Sequence, residues 1–334
     1  METATNKNLS VAVIGLGKMG LLHASLLNVQ PGVQIVALCD KSWLMRKIAK
    51  STLKKPLVTD KLDKLSALDL DAIFITTPIP SHYSIIKEVY AKDITRNLFV
   101  EKTLSSASAQ SEELLKLSQN RKGITMVGYM KRFSVTFRKA KELLSQKVLG
   151  ELLSFDAYAY SSDFVHVKKG SSGSSARGGA LEDLGSHVAD LALWFFGDLQ
   201  VTSAEIQSSI AMGSVDSASF EVSGSNGLEG KFSVSWVKAG YRMPEFGLAI
   251  RGVNGAIMVD DNELKLELNK AQPTEWYRQD LDDNVFFLLG EPEYFREDEH
   301  FVKSIVYRDS PEPNFRTAMK VDFLLEEVRR RSNE

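Results

Sequence analysis

An apolar, β-branched run from Leu9 to Ile14 breaks off at Gly15-Leu16-Gly17-Lys18-Met19-Gly20. Leu22, Leu26 and Leu27 then recur at helical spacing. A strand, a three-glycine turn and a helix in that order leave few folds open. Gly15 permits the tight turn, Gly17 lets backbone approach a pyrophosphate, and Gly20 lets the helix pack close to the strand. The amides of Leu16, Lys18 and Met19 belong to the same turn, and the helix N-terminus offers free N–H groups and partial positive charge. The next strand-like run ends at Asp40, about twenty residues on, where an acidic side chain meets the adenosine ribose of a bound dinucleotide. A carboxylate there accepts from both ribose hydroxyls and repels a 2′-phosphate. The expected cofactor is therefore NAD. The adjoining Lys41 keeps NADP open.

The alternation continues. Val33 to Leu38, Ala72 to Ile75, Leu98 to Val100 and Ile124 to Val127 are short apolar runs suited to strands buried on both faces. Helical patterns lie between them, at Met19–Asn28, Trp43–Lys50, Ser81–Tyr90 and Ser108–Gln119, with Ser81 a candidate N-cap. The expected class is α/β, with an N-terminal Rossmann doubly wound parallel sheet over residues 1–125. Beyond Gly150 the pattern changes. Leu152–Tyr160 alternates with period two, and further strand-like runs between Val201 and Leu268 are separated by Ser225-Asn226-Gly227, Val253-Asn254-Gly255 and Asp260-Asp261-Asn262. One helical stretch, Asp183–Phe196, interrupts them, and two more, Glu293–Arg308 and Arg316–Arg330, close the chain. Residues 126–334 are expected to form a C-terminal α+β domain with an open, mostly antiparallel sheet, for substrate binding and oligomerisation. The last helices have the option of packing back on the Rossmann domain.

Composition narrows the function classes. Among 334 residues the net charge is −2, so no basic field for nucleic acid is expected. No apolar stretch approaches the length of a membrane span, and residues 1–10 lack a signal-peptide core, so a cytoplasmic location is expected. One cysteine, Cys39, excludes an internal disulfide and thiolate zinc sites, and no His/Cys cluster has metal-ligand spacing. No metal is expected. Arg329-Arg330-Arg331 reads as a solvated last helical turn.

The glycine turn and three later segments resemble the Gfo/Idh/MocA family of oxidoreductases. The segments are Thr76-Thr77-Pro78 with His82, then Glu101-Lys102-Thr103, then Gly178-Gly179-Ala180-Leu181-Glu182-Asp183-Leu184-Gly185-Ser186-His187. Tyr294, His300-Phe301 and Pro311 near the end fit as well. The resemblance implies NAD(P)-dependent chemistry on sugars, inositols or their derivatives, and a homodimer or homotetramer through the C-terminal sheet. It implies that Thr76, Thr77 and Pro78 line the cofactor and that Glu101 contacts it. His82 either lies near the nicotinamide or packs at its helix start, and His23 is structural. Thr103 stands where the family usually has proline. A cis bond before a non-proline costs about 2.5–4 kcal/mol, so a trans Lys102–Thr103 bond is expected.

Moving a hydride between a carbinol and nicotinamide requires a group that moves the hydroxyl proton, and histidine titrates in the right range. With the resemblance, His187 is the candidate acid/base. Asp183, four residues earlier on the same helix face, binds substrate or orients the imidazole. Lys102, just past a strand's C-terminal end, stabilises charge on the reacting oxygen. Lys131 and Arg132 either face a polyhydroxylated substrate or are surface charges. Arg177 and the Ser/Gly-rich stretch around it either cover the site or form a disordered excursion. Two other readings stay open: a redox-neutral glycosidase that regenerates its NAD, and a non-catalytic NAD(P)-binding sensor or co-regulator.

Overall fold

The computed structural model describes residues 8–53, 55–165, 178–208, 215–283 and 291–334. Arg177 and most of the Ser/Gly-rich stretch lie outside the described residues. The chain divides into two compact units, one running to Gly128 and including Tyr294–Met319, the other Tyr129–Glu293 with Lys320–Glu334.

The first unit carries β1 (Leu9–Ile14), α1 (Lys18–Val29), β2 (Val33–Cys39), α2 (Trp43–Thr52), β3 (Leu57–Thr59), β4 (Ala72–Ile75), α3 (His82–Ala91), β5 (Leu98–Glu101), α4 (Ser108–Arg121) and β6 (Thr125–Gly128). Its six strands are all parallel, in the order β3-β2-β1-β4-β5-β6. That is the doubly wound order, with the crevice for a dinucleotide outside the strands' C-terminal ends, where the order reverses between β1 and β4. Every residue of β4, β5 and β6 is buried, as the unbroken apolar runs require. The edge strand β3 was not among the expected runs. It has three residues and pairs only with Ala37–Cys39, too short for a pattern of its own. Ser81 does occupy the position before α3, yet its hydroxyl does not cap the helix. It donates to Pro78 O and Thr77 Oγ1 instead, at 2.7 and 2.8 Å.

The second unit holds α5 (Val135–Ser145), β7 (Leu152–Tyr160), α6 (Ser186–Phe196), β8 (Gln200–Gln207), β9 (Ser217–Ser223), β10 (Glu229–Ser235), β11 (Glu245–Gly252), β12 (Gly255–Asp260), β13 (Glu263–Leu268) and β14 (Thr274–Tyr277). They form one eight-stranded sheet, β14-β13-β12-β11-β7-β10-β9-β8, antiparallel except at β7 and β10. The period-two pattern of β7 puts Phe155, Ala157 and Ala159 on the buried face. There Phe155 stacks on Phe196 of α6 at 4.4 Å and meets Phe232 edge-on at 5.5 Å. Fully burying a ring such as Phe155 or Phe232 is worth about 1.5–3 kcal/mol, which helps to hold α6 against the sheet. The opposite face carries Asp156, Tyr158, Arg251 and Met258. Two helices close the chain, α7 (Glu293–Tyr307) and α8 (Phe315–Arg331). None of the described helices is long and apolar enough to cross a membrane.

Candidate active site

The glycine turn leaves β1 through Gly15, whose φ of +94° favours glycine. A Cβ on Gly20 would stand 1.8 Å from Gly15 O, so the helix can approach the strand only without one. At Gly17 the reverse holds: nothing lies within 4 Å of where a Cβ would stand, and Gly17 is exposed. No side chain caps the start of α1, and its first turn has no acidic residue. That open, uncapped N-terminus with free amides fits a dinucleotide's pyrophosphate. The two glycines therefore separate in their effects. Gly17→Ala should fold with an unchanged Tm yet weaken NADH binding about tenfold by blocking the phosphate approach. Gly20→Ala should lose several degrees of Tm. Thermal scans and an NADH fluorescence titration on both variants check this. Equal effects at the two positions would refute it.

Asp40 lies just past β2, half-buried, and its carboxylate accepts from Leu16 N at 2.5 Å and from Ser42 N at 2.7 Å. It thus ties the end of β2 to the glycine turn. Each oxygen keeps a further lone pair for a ribose hydroxyl. Lys41 is exposed, while Arg46 Nη1 donates to the carbonyls of Asp40 and Lys41, both at 2.8 Å. Beyond β4, Thr76 is buried and donates to Gly15 O at 2.7 Å, bracing the turn from behind, whereas Thr77 is half-buried and Pro78 exposed. His82 is fully buried. Its Nδ1 lies 2.9 Å from Thr103 O and its Nε2 2.7 Å from Thr77 O. Burial pulls the imidazole below its ordinary pKa, although both carbonyls favour the proton. The neutral ring donates to one of them at a time. Both ring nitrogens face backbone carbonyls of Thr77 and Thr103, so any contribution of His82 to a cofactor passes through the segments it joins.

The Lys102–Thr103 peptide is cis. The expectation of a trans bond, drawn from intrinsic preference, is overturned. Thr103 O faces His82, Thr103 Oγ1 donates to Ser105 O at 3.3 Å, and Lys102 N donates to Glu101 Oε2 at 3.1 Å. The preference is that of an isolated peptide bond, whereas this one lies among these tertiary partners. Lys102 itself is half-buried at the C-terminal end of β5. Glu101 turns its other oxygen inward, 2.9 Å from His23 Nε2, and His23 Nδ1 meets Asp298 Oδ1 at 2.7 Å. The expectation of a structural His23 accords with its complete burial. The partner Asp298 was not expected, because it comes 275 residues later in the chain. Glu297 also lies close enough for His23, Glu297 and Asp298 to resemble a metal-ligand group. Both nitrogens of the imidazole already meet carboxylates, which suits shared protons better than a cation.

In the second unit, Asp183 and His187 do not share a regular α-helix. Leu181–Gly185 form one wide π-turn that leads into α6, with Asp183 in the π-turn and His187 in the first turn of α6. Such turns recur at functional sites because they re-aim side chains within a helix. Asp183 is half-buried and His187 is buried. The imidazole meets Phe246 at 5.2 Å and Tyr129 at 6.2 Å, both edge-on. Lys131 Nζ lies 4.6 Å from the centre of the same Phe246 ring and 2.7 Å from Asp261 Oδ1. Burial raises the Asp261 pKa, though Lys131 pulls the other way, and Asp261 Oδ2 also accepts from Phe246 N at 3.1 Å. Arg132 is gripped by Asp190 of α6 through two bonds of 2.7 Å. Both basic side chains are 5% exposed, so the surface reading is wrong: an isolated charge so buried requires a counter-ion, and each has one. Asp190, an acid inside the apolar run of α6, was the sequence sign of that pairing. Arg329 lies in the last turn of α8 with a partly exposed side chain, as expected, and also reaches Glu182 at 2.5 Å, beside Asp183.

Residues 9–129 match the family model described as an oxidoreductase family with an NAD-binding Rossmann fold, and residues 137–258 match the GFO/IDH/MocA C-terminal domain. An uncharacterized oxidoreductase of Bacillus subtilis (strain 168), YrbE, is 28% identical over 240 residues, 66% of this chain and 65% of that protein. An inositol 2-dehydrogenase of Rhodococcus erythropolis (strain PR4 / NBRC 100887) is 30% identical over 152 residues, 44% of this chain and 43% of that protein. The matches thus span less than two thirds of either relative. Among solved structures, a levoglucosan dehydrogenase in complex with NADH and levoglucosan aligns with a TM-score of 0.88 at 18% identity, over 98% of both chains. At that identity the likeness is one of fold.

Proposed function

The chain belongs to the GFO/IDH/MocA family of oxidoreductases, and on that premise we propose that it is an NAD-dependent dehydrogenase or reductase acting on a sugar, an inositol or a derivative of one. The observation that carries the reading is the glycine turn with its open helix N-terminus and the Asp40 carboxylate bound to the turn's own amide. The substrate class rests on the inositol and levoglucosan dehydrogenases it resembles. The nicotinamide, when bound, accepts or returns the hydride. His187 takes or returns the hydroxyl proton, Lys102 stabilises charge on the reacting oxygen, and Asp183 binds the substrate or orients the imidazole. Asp40 selects NAD over NADP by repelling a 2′-phosphate, with Lys41 softening that preference.

The test is the absorbance of reduced nicotinamide, with NAD and NADP offered against a panel of sugars, inositols and sugar acids. Turnover with a polyol, faster with NAD, is expected. Asp40→Ala should lower the NAD-to-NADP preference by about tenfold, the loss of one charge-assisted interaction. Silence across the panel with NADH still bound would sink the dehydrogenase reading and favour a redox-neutral enzyme or a sensor.

The same reading includes self-association through the open face of the second unit's sheet. Met258 is 38% exposed there, beside half-buried Tyr158 and the Asp156–Arg251 pair. Met258→Asp should then shift the protein to a smaller species in sedimentation velocity, and an unchanged profile would count against this interface. A cytoplasmic setting is proposed with this function, in keeping with a single cysteine, Cys39, which can form no internal disulfide.

A further inference from the structure

His23 stands in α1, the helix whose N-terminus forms the phosphate cradle. Its ring is wholly buried against Phe99, Phe74 and Tyr294, at 5.0, 5.9 and 6.0 Å. Both nitrogens face carboxylates, Asp298 of α7 on one side and Glu101 of β5 on the other. With a carboxylate oxygen against each nitrogen, the ring has an acceptor in place for a proton on both. Burial works against a charge on the ring, but the two carboxylates outweigh it and hold the His23 pKa well above its ordinary value. Glu101 is divided in turn: Oε1 accepts from His23 and Oε2 accepts from the Lys102 amide.

We propose that His23 is a positioning residue for Lys102: backed by Asp298, it fixes the Glu101 carboxylate so that the carboxylate in turn fixes the Lys102 amide. Three segments far apart in the chain meet at this ring, so movement of α1 or α7 is felt at the backbone of Lys102. The geometry explains why a histidine stands here. Leucine would fill the space but leave Glu101 Oε1 without its partner, and lysine would offer no planar ring with nitrogens at opposite ends. The functional weight of this arrangement rests on the role proposed above for Lys102. The arrangement itself is measurable without any substrate.

The experiment is amide hydrogen exchange on the ligand-free full chain. In His23→Leu the Lys102 amide should exchange about tenfold faster, while amides of the central strands, such as Val13 and Phe74, keep their protection. His23→Gln, which keeps one donor toward Glu101, should return the Lys102 rate to within about threefold of the parent. Asp298→Ala, which leaves every atom beside Lys102 in place, should accelerate the same amide. An unchanged Lys102 rate in a folded His23→Leu protein overturns the proposal. So does a loss of protection throughout the unit in all three variants, which would assign the cluster to folding alone. Should Lys102→Ala keep full turnover in the polyol assay, the catalytic reading fails while the exchange result still decides the positioning.

Discussion

His187→Asn is expected to lower kcat by about 10²–10⁴-fold, the usual contribution of a positioned general acid or base, and to leave NADH affinity within a few-fold of the parent. The imidazole sits at the start of α6, edge-on to Phe246 and Tyr129. Asparagine keeps a polar group near one ring nitrogen but cannot exchange a proton near neutral pH. Cofactor affinity should survive because the residues proposed to hold the cofactor, the glycine turn and Asp40, belong to the other unit. Steady-state kinetics on the best polyol of the panel, with an NADH titration of the same sample, provide both numbers. Retention of kcat would remove His187 from the mechanism. A parallel loss of NADH binding would point to misfolding and would be read against the Tm of the variant.

Arg132→Met should destabilise the second unit by about 3–5 kcal/mol, the cost of removing one member of a buried ion pair. Asp190 is fully buried and receives two bonds from the guanidinium, so the mutation strands a carboxylate away from water. The double variant Arg132→Met/Asp190→Leu should recover most of that loss, since an apolar pair of similar volume is often neutral relative to a buried ion pair. Urea unfolding followed by tryptophan fluorescence measures both. Trp194, whose ring faces the Arg132 guanidinium at 5.5 Å, lies in this unit, as does the buried Trp236. If the single variant lost less than about 1 kcal/mol, the range of an exposed pair, the buried pairing would not be what holds α6.

Local chemistry made much of the molecule legible from its residues alone. Short apolar runs located β1, β2, β4, β5 and β6, since a strand buried on both faces has few polar positions to spare. Period-two alternation likewise located β7, with the bounds the structure shows. The glycine turn and Asp40 could be read because their spacing is set by one strand, one turn and one helix. Segments without a local pattern were missed. β3 and β14 are three and four residues long and exist only by pairing with a neighbour, and α5 drew no expectation at all.

Tertiary structure alone decided the rest, because it depends on groups far apart in the chain. The cis Lys102–Thr103 bond goes against the intrinsic preference of its residues and stands where His82, 21 positions away, meets Thr103 O. For Lys131 and Arg132 the sequence left substrate contact and surface exposure both open, and their burial against Asp261 and Asp190 appears only in three dimensions. His23 gave no sign of its two carboxylates, one of them 275 residues distant. Periodicity reports which face of an element is apolar. It does not report which polar groups that face will meet, and in a low-dielectric interior those meetings fix the charges.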